Sequence, residues 1–500
     1  MTRKWACLAI ACLATLLLSL DMTVLHLALP RLVGDLGATS TQLLWIGDVY
    51  GFALAGLLVT MGNLSDRIGR KRLLLMGAAA FGAASAVTAY APSPELLIAA
   101  RALLGVAAAT IMPSTLSIIR NVFTDPAERT AAIGVWSGMS AAGFAIGPVI
   151  GGLLLDHFWW GSVFLINLPV MAVVLVGGQL VLPESRDPAP GRIDLPSVAL
   201  SFAGVVAVIY AIKEAAHDGL ARFDVLVPGA LGVAALVVFC VRQARLPEPL
   251  IDVRLFRRRA FTASITTNLL AIFAMTAMSL FFAWYFQLVL GWSPLQAGLA
   301  GLPGGLSGAA GGILAGRLIR VLGRNGVVAL GLTMTAGSFF FYGTLGQQLS
   351  YPALLVAMVV GGMGIGLTFT VNNDNVLATA PRDRAGAAAA ISETAFELGG
   401  ALGIAILGTV LTTTYRDNLV LPPGVPGDAA RESIAGALTT AARLPAGQGA
   451  QLVDAARTAF VQGVHVTGFT TGTVLLVVAV LALAGLRGVP KVIQEEVLTH

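Results

Sequence analysis

Long apolar runs alternate with short polar segments along almost the whole chain. A helix crosses the hydrocarbon core of a bilayer with about 20 largely apolar residues, and most of the runs reach that length. On this rule the pattern predicts fourteen membrane-spanning helices. They lie near residues 5–29, 42–62, 72–92, 96–120, 130–154, 161–182, 196–213, 223–243, 261–290, 296–318, 327–346, 352–377, 386–413 and 465–487. We therefore expect an all-α polytopic membrane protein.

The predicted helices divide into two bundles of six and an added pair. The N-terminal six-helix bundle covers residues 1–183, linkers and two extra helices cover 184–259, and the C-terminal six-helix bundle covers 260–500. The last bundle contains a long segment at about 415–464 whose weak helical periodicity favours a small helical hairpin on the external face. A disordered loop is the alternative.

The segment between the second and third predicted helices is unusually polar. Gly62–Arg72 holds four cations and one acid, and its glycines permit a sharp reversal of the chain. A degenerate copy follows 250 residues later. In it, Gly312, Leu314, Arg317 and Arg320 stand in the places of Gly62, Leu64, Arg67 and Arg70, and Gly316 replaces Asp66. The repeat indicates a duplicated chain with two similar halves.

Composition and charge agree with a membrane protein and set its orientation. Hydrophobic residues make up 56% of the chain and charged residues 11%, against about 25% charged residues in a soluble domain. Of the 31 Lys and Arg residues, 23 fall on the side of the N-terminus, 7 on the other side, and Arg101 in a span. The positive-inside rule explains the net charge of +5 without nucleic acid and places both termini in the cytosol.

The N-terminal apolar run is interpreted as the first helix, because its pattern continues through Asp21 to Leu29 without a convincing signal-peptide cleavage site. The cysteines at positions 7, 12 and 240 lack a paired spacing that suggests a metal site or disulfide framework. The five histidines are scattered. We expect no metal and no cofactor.

Five acids fall inside or near the ends of predicted spans, where an ionised carboxylate costs roughly 2.5 kcal/mol or more. They are Asp21, Asp48, Asp374, Glu393 and Glu397. Asp21 and Asp48 lie roughly 12 and 9 Å from the external ends of their helices, at about 1.5 Å per residue, so they can share one cavity. For Asp374, near the predicted cytosolic end, an inert ion pair or a helix-end position is an open alternative.

Glu393 and Glu397 are four residues apart and lie on one face of their helix. Two carboxyls at this spacing cannot both stay ionised cheaply in an enclosed cavity. A group that holds either a proton or a cation, but not both favourably, is the physical basis of antiport. A hydrogen-bonded inert pair is the alternative.

Arg101 is the only cation within a predicted span, and it needs an acidic or polar partner at that depth. Asp21 is the candidate, and a purely structural ion pair is the alternative.

Small residues and a proline are concentrated in the fifth predicted helix. Gly143, Gly147, Gly151 and Gly152 surround Pro148. Close helix packing alone explains the glycines, whereas their combination with a proline favours a hinge or seal. Seven further residues are candidates to line an aromatic site for cations, although each one alone is better explained as a core or lipid-facing residue. These are Trp45, Tyr50, Trp136, Met139, Phe144, Phe369 and Phe396.

These motifs resemble, over essentially the whole length, the fourteen-helix branch of drug:proton antiporters in the major facilitator superfamily, of the QacA-like and EmrB-like multidrug efflux type. The residues that carry the resemblance are Gly62–Arg72, Arg101 with Gly105, the antiporter motif Gly143–Gly152 and the helix 1 motif Leu20–Pro30. Two positions depart from the pattern. His26 occupies a place often held by Asn, and Ser307-Gly308 stands where some divalent-cation pumps of this type have an Asp, which puts divalent substrates in doubt.

The resemblance implies a major facilitator fold and proton-coupled export of hydrophobic organic cations, such as quaternary ammonium compounds, cationic dyes and biocides, by alternating access. It implies protonation of Asp21, with Arg101, and of Glu393. It implies cation recognition by Asp48 and Glu397. We also count Asp374 and the aromatic candidates among the substrate-binding residues. The gating motif would be Gly62, Asp66, Arg67, Gly69 and Arg70.

Other functions stay open at this point. A dedicated exporter of one antibiotic or metabolite fits the same pattern. A membrane-embedded enzyme would need a convergent nucleophile, metal cluster or phosphate-binding loop, and a passive channel rarely needs two duplicated bundles. For the transporter we expect a monomer in the cytoplasmic membrane, whose partners are membrane lipid, protons and lipophilic cationic small molecules.

Overall fold

The computed structural model describes residues 2–37, 40–186, 194–218, 223–247, 249–346, 351–380, 385–425, 427, 430–431 and 433–486. No strand occurs within these ranges. The helices are α1 (Thr2–Leu36), α2 (Ser40–Ile68), α3 (Arg70–Ala89), α4 (Pro94–Val122), α5 (Pro126–His157), α6 (Ser162–Leu165), α7 (Asn167–Val181), α8 (Leu195–Asp218), α9 (Phe223–Arg245), α10 (Arg259–Trp284), α11 (Pro294–Tyr342), α12 (Tyr351–Thr379), α13 (Ala385–Asn418), α14 (Ile434–Ala441) and α15 (Ala446–Gly485).

Eleven helical segments among the described residues are long and apolar enough to cross a membrane, and one of them joins α6 and α7. α10 and the two arms of α11, residues 294–322 and 324–342, are three further long segments. The described residues are therefore consistent with the fourteen predicted spans. The arms of α11 meet at Gly323, whose φ of 74° is accessible because glycine has no side chain.

The segment predicted as a long external loop at about 415–464 is largely helical. α13 continues to Asn418, and α15 begins at Ala446 and runs without a break into the last span. α14 packs against the first turns of α15 in the same apolar core. The predicted helical hairpin is formed in this way, and predicted helix 465–487 is the second part of a longer helix.

The long helices pack around two apolar cores, one within α1 to α7 and one within α10 to α15. The two groups meet along two interfaces, which we name seam A (α2 against α13) and seam B (α5 against α11). Contacts of α4 with α13 and of α5 with α12 lie between them. We call the end of the molecule that holds residues 62–72 the motif end.

The structure corrects the register of the internal repeat. Gly69, with φ of 114°, separates α2 from α3, and Gly323 takes the same place between the arms of α11. Arg324 is therefore the counterpart of Arg70, and the repeat runs four residues later than the predicted alignment on Gly312. Residues four apart share a helix face, so a motif with glycine and arginine at that spacing can be matched one turn out of register.

The added pair of helices is fixed against both groups. α8 contacts α2 and α13, and α9 packs on α8. The buried residues at this contact are Phe52, Ala55, Val205, Ile209 and Ala401. At the start of α8, Asp194 accepts hydrogen bonds of 2.7 and 2.9 Å from the Arg242 guanidinium of α9, which lower the pKa of Asp194 to about 2.

Candidate functional site

The predicted partner of Arg101 is present. Arg101 Nη1 of α4 donates to Asp21 Oδ2 of α1 at 2.8 Å, and only 1% and 3% of the two residues' surfaces are exposed. Asn167 Nδ2, at the start of α7, donates to Asp21 Oδ1 at 2.9 Å and to Ser85 Oγ at 3.0 Å. A buried charge pair needs such additional hydrogen bonds to offset its desolvation. This cluster joins four helices of the first bundle.

Tyr50 of α2 lies beside this cluster. Its ring centroid is 4.7 Å from the Arg101 guanidinium carbon, a cation–π arrangement. Its hydroxyl is buried and has no hydrogen-bond partner among the described residues. The charges of Asp21, Arg101 and Glu397 all act on this phenol. Tyr50 therefore contacts the Asp21 pair from α2, the helix that faces α13.

Asp48, one turn of α2 from Phe52, forms an ion pair with Lys213 of α8. The Lys213 ammonium also lies 5.2 Å from the centroid of the Phe52 ring. Its charge acts on Glu397 of α13 as well. The added pair of helices thus contributes a cation to seam A.

Glu393 and Glu397 lie on α13 without hydrogen bonds from any residue that the structure describes. Glu393 is 7% exposed and Glu397 is half-buried. The predicted aromatic residues Phe369 and Phe396 form a ring pair beside them, with centroids 6.2 Å apart. The hydrogen-bonded inert pair that the sequence left open is therefore not found among the described residues.

Asp66 joins the two bundles at the motif end. Its carboxylate accepts hydrogen bonds from the Gly386 and Ala387 amides at the start of α13, at 3.0 and 3.1 Å. Arg70 donates to the same carboxylate at 2.7 Å, and Arg67 donates to Asn63 of its own helix at 2.6 Å. An acid at a helix N-terminus satisfies free amides and the positive end of the helix dipole.

Two glycines of residues 62–72 make close contacts, one across seam A and one within the first bundle. A Cβ added at Gly62 would lie 2.4 Å from the Gly386 carbonyl oxygen. A Cβ at Gly69 would lie 2.5 Å from Glu184 Oε1, and the φ of Gly69 disfavours any side chain.

Asp374 is fully buried in a polar network at the motif end. It pairs with Arg129 Nε at 2.9 Å and Arg324 Nη2 at 2.7 Å, and it accepts a hydrogen bond from Thr130 Oγ1 at 3.0 Å. This geometry favours the paired interpretation of Asp374, and its role in substrate binding stays a prediction. The neighbouring Asn373 and Asn375 extend the network to α10 and α13.

The glycines of the antiporter motif pack α5 onto α1. Cβ atoms added at Gly143 and Gly147 would lie 2.6 Å from Leu16 O and 1.9 Å from Thr23 Oγ1. Gly151 is buried, Gly152 has open space, and Pro148 faces Gly298 of α11. Close packing therefore accounts for two of the glycines, and the hinge stays a prediction.

The remaining predicted residues are more dispersed. Trp136 is buried and donates through Nε1 to Thr115 Oγ1 at 3.2 Å, with Met139 packed beside it. Phe144 is half-buried. The ring centroids of Trp45 and Phe52 are 6.2 Å apart. The side chain of His26 lies outside the described residues.

Sequence reasoning missed several residues of these clusters. Two of them are single polar residues in apolar runs, three are basic residues near a helix end or a turn, and two flank Asp374 in a polar run; these were the available signals. They are Ser85, Arg129, Asn167, Lys213, Arg324, Asn373 and Asn375.

Comparison with known proteins identifies the family. A model of the Major Facilitator Superfamily matches residues 11–404. The chain is 44% identical over 487 residues to the multidrug efflux pump LfrA of Mycolicibacterium smegmatis, which covers 97% of this chain and 96% of that protein. It is 35% identical over 483 residues to the methyl viologen resistance protein SmvA of Salmonella typhimurium, with 96% and 98% covered.

The fold agrees with this assignment. The crystal structure of the human organic anion transporter MFSD10 (TETRAN) superposes with a TM-score of 0.64, over 96% of this chain and 100% of that chain, at 15% identity. This likeness concerns the fold alone. With its apolar helices the chain is a multi-pass membrane protein and a transporter rather than an enzyme. The chain belongs to the Major Facilitator Superfamily.

Proposed function

We propose that this protein exports lipophilic organic cations in exchange for protons, as a secondary active transporter of the cytoplasmic membrane with both termini in the cytosol. One observation carries the proposal. Glu393 and Glu397 of α13 lie at seam A and accept no hydrogen bond from the described residues. Asp48 on the facing helix α2 is already paired with the ammonium of Lys213.

The exchange follows from the cost of a buried charge. A carboxylate that is buried without hydrogen bonds is costly when ionised, so it binds a proton or a cation. A lipophilic cation that enters beside Glu393 and Glu397 supplies the opposite charge and favours release of the proton. When the cation leaves, the carboxyl regains a proton. Because the site holds a proton or a cation but not both, each ligand leaves when the other binds, and this exchange couples their movements.

Asp21 is assigned the second proton site. Protonation would weaken its ion pair with Arg101 and its hydrogen bond from Asn167, which together join α1, α4 and α7. Tyr50 contacts Arg101 and is influenced by the charge of Glu397. Tyr50 is thus suited to transmit the state of one acid cluster to the other.

Alternating access requires an end that can open and close. The motif end is joined across the seams by hydrogen bonds and ion pairs of Asp66 and Asp374 together with close glycine contacts. Such contacts can break without exposing a large apolar core. We assign this end to the cytosol because most of the basic residues lie there.

The names of the relatives support small-molecule drugs as the substrate class. LfrA is called a multidrug efflux pump and SmvA a methyl viologen resistance protein. Methyl viologen is an organic cation, which agrees with carboxylates and aromatic rings as recognition groups.

The proposal is tested by transport in vesicles that contain the purified protein. A fluorescent lipophilic cation, ethidium, should move against its concentration gradient only while a proton gradient of the opposite direction is imposed. Asp21→Asn should abolish this gradient-driven movement, because an amide cannot gain and lose a proton. Ethidium movement that is independent of the proton gradient, or unchanged in Asp21→Asn, would contradict the proposal. Vesicles without protein provide the background rate.

A further inference from the structure

Among the described side chains of the added helix α8, Lys213 is a basic group that reaches the candidate site. Its ammonium pairs with Asp48 and lies 5.2 Å from the centroid of the Phe52 ring. Ala401, one helical turn after Glu397 on α13, belongs to the same apolar cluster as Phe52. A carboxylate and an aromatic face are also the groups that recognise an organic ammonium ion. The chain therefore places its own cation where the chemistry suits a substrate cation.

We propose that Lys213 is a tethered competitor that sets substrate specificity at the site formed by Asp48, Phe52 and Glu397. This inference rests on the proposed function. A substrate cation must displace the ammonium of Lys213 before it reaches Asp48. Because α8 is held against α2 and α13, the competing group is present at a high effective concentration.

The surroundings allow this displacement. The side chains of Lys213 and Asp48 are 30% and 36% exposed, so the ammonium is not enclosed by protein. An apolar groove of about 460 Å³ lies between α2, α4 and α8, and Phe52 belongs to both the groove and the cation contact. The aromatic residues that line it are Trp45, Phe52, Phe202 and Tyr210. The groove offers a place for the apolar part of a lipophilic cation.

The charges around the site predict which substrates bind more tightly when the ammonium of Lys213 is removed. With Lys213 in place, its ammonium already neutralises the negative charge of Asp48, so a ligand finds only Glu397. Without it, two carboxyls are available to a ligand. A dication should therefore gain more affinity than a monocation when the lysine is neutralised.

The test is equilibrium binding of two probes to the purified full-length protein, namely tetraphenylphosphonium, a monocation, and methyl viologen, a dication. Lys213→Met should bind tetraphenylphosphonium about fivefold more tightly and methyl viologen by a larger factor, as expected for removal of a like charge from a partly solvated site. Lys213→Gln should change both affinities in the same direction.

Lys4→Met is the matched control. Lys4 pairs with Glu128 at 2.5 Å, its side chain is also 30% exposed, and it lies 6.0 Å from the centroid of Phe123, outside the candidate site. Its substitution should leave both affinities unchanged.

Unchanged or weaker binding in both Lys213 variants would overturn the competitor role. If the wild type still exchanges cations for protons, the proposed function survives that result. If neither the wild type nor the Lys213 variants bind either probe, the inference and the cationic substrate class both fail. Binding by the Lys213 variants alone would support the competitor role.

Discussion

At the motif end, seam A and seam B are closed by the same kind of ion pair built from different helices. In seam A, Asp66 of α2 pairs with Arg70 and also accepts hydrogen bonds from the first amides of α13. In seam B, Arg324 pairs with Asp374 of α12, which also binds Arg129 of α5. In each seam, the arginine that follows the turn glycine pairs with a buried acid, and that acid contacts the opposite bundle.

The corrected repeat explains why the acids come from different helices. The counterpart of Asp66 in the second half is Arg320, so that half cannot supply its acid from the same position. Asp374 on the neighbouring helix takes over the pairing. In both seams a buried acid contacts the arginine that follows the turn glycine and also contacts the opposite bundle. The two seams differ in the helix that carries this acid.

The largest change in efflux rate is expected when a glycine that faces the opposite helix is replaced. A Cβ at Gly62 would lie 2.4 Å from a backbone oxygen, whereas a Cβ at its counterpart Gly316 would lie 3.9 Å from Thr130 Cγ2. Because backbone cannot move aside cheaply, Gly62→Ala should prevent close approach at seam A and lower the efflux rate about tenfold or more. Gly316→Ala should stay within about twofold of the wild type, since ordinary van der Waals contact is tolerated.

The measurement is the initial rate of ethidium efflux at equal protein levels. Gly386→Ala provides a second variant on the other side of the same contact, because its Cβ would lie 2.3 Å from Gly62 O. Equal rates in the Gly62→Ala and Gly316→Ala variants would show that the close contact of Gly62 with Gly386 does not limit efflux.

Neutralising the buried acids of the two seams, Asp66 and Asp374, is expected to lower the stability of the protein. Asp374→Asn removes the carboxylate that pairs with the buried Arg129 and Arg324, and breaking a buried pair in this way costs about 3 to 5 kcal/mol. Asp66→Asn keeps a carbonyl oxygen for the amides of α13 and removes only the ion pair with Arg70, so we expect a loss of about 1 to 3 kcal/mol in the free energy of unfolding. The midpoint of thermal unfolding in detergent should therefore fall further for Asp374→Asn. A larger fall of the midpoint for Asp66→Asn would contradict the expectation that the acid of seam B contributes more to stability than the acid of seam A.

Much of the fold and part of the site could be predicted from the sequence. The long apolar runs specified helices because a membrane requires them. The partner of Arg101 was predictable because a buried cation needs an acid and Asp21 lies in a neighbouring span. The contact of Asp66 with a helix N-terminus followed the same logic of charge and free amides.

Other features depend on tertiary placement. Lys213 reaches Asp48 only because α8 packs between α2 and α13, and no local pattern reports that position. Asn167 appears in the sequence as a single amide in an apolar run, and its role depends on the approach of Asp21. The repeat was misaligned because a four-residue shift preserves the helix face. The beginning of α15 at Ala446 was missed because its first turns are covered by α14 rather than by lipid.

The most direct test of cation–proton exchange is proton release on binding. Purified protein in a weak buffer near neutral pH should release protons when tetraphenylphosphonium is added, because the cation replaces a proton at Glu393 and Glu397. Glu393→Gln should remove most of this signal, and Lys4→Met, outside the site, should retain it. Saturable binding of the cation to the wild type without proton release between about pH 5 and pH 8, where a buried carboxyl titrates, would contradict the exchange mechanism.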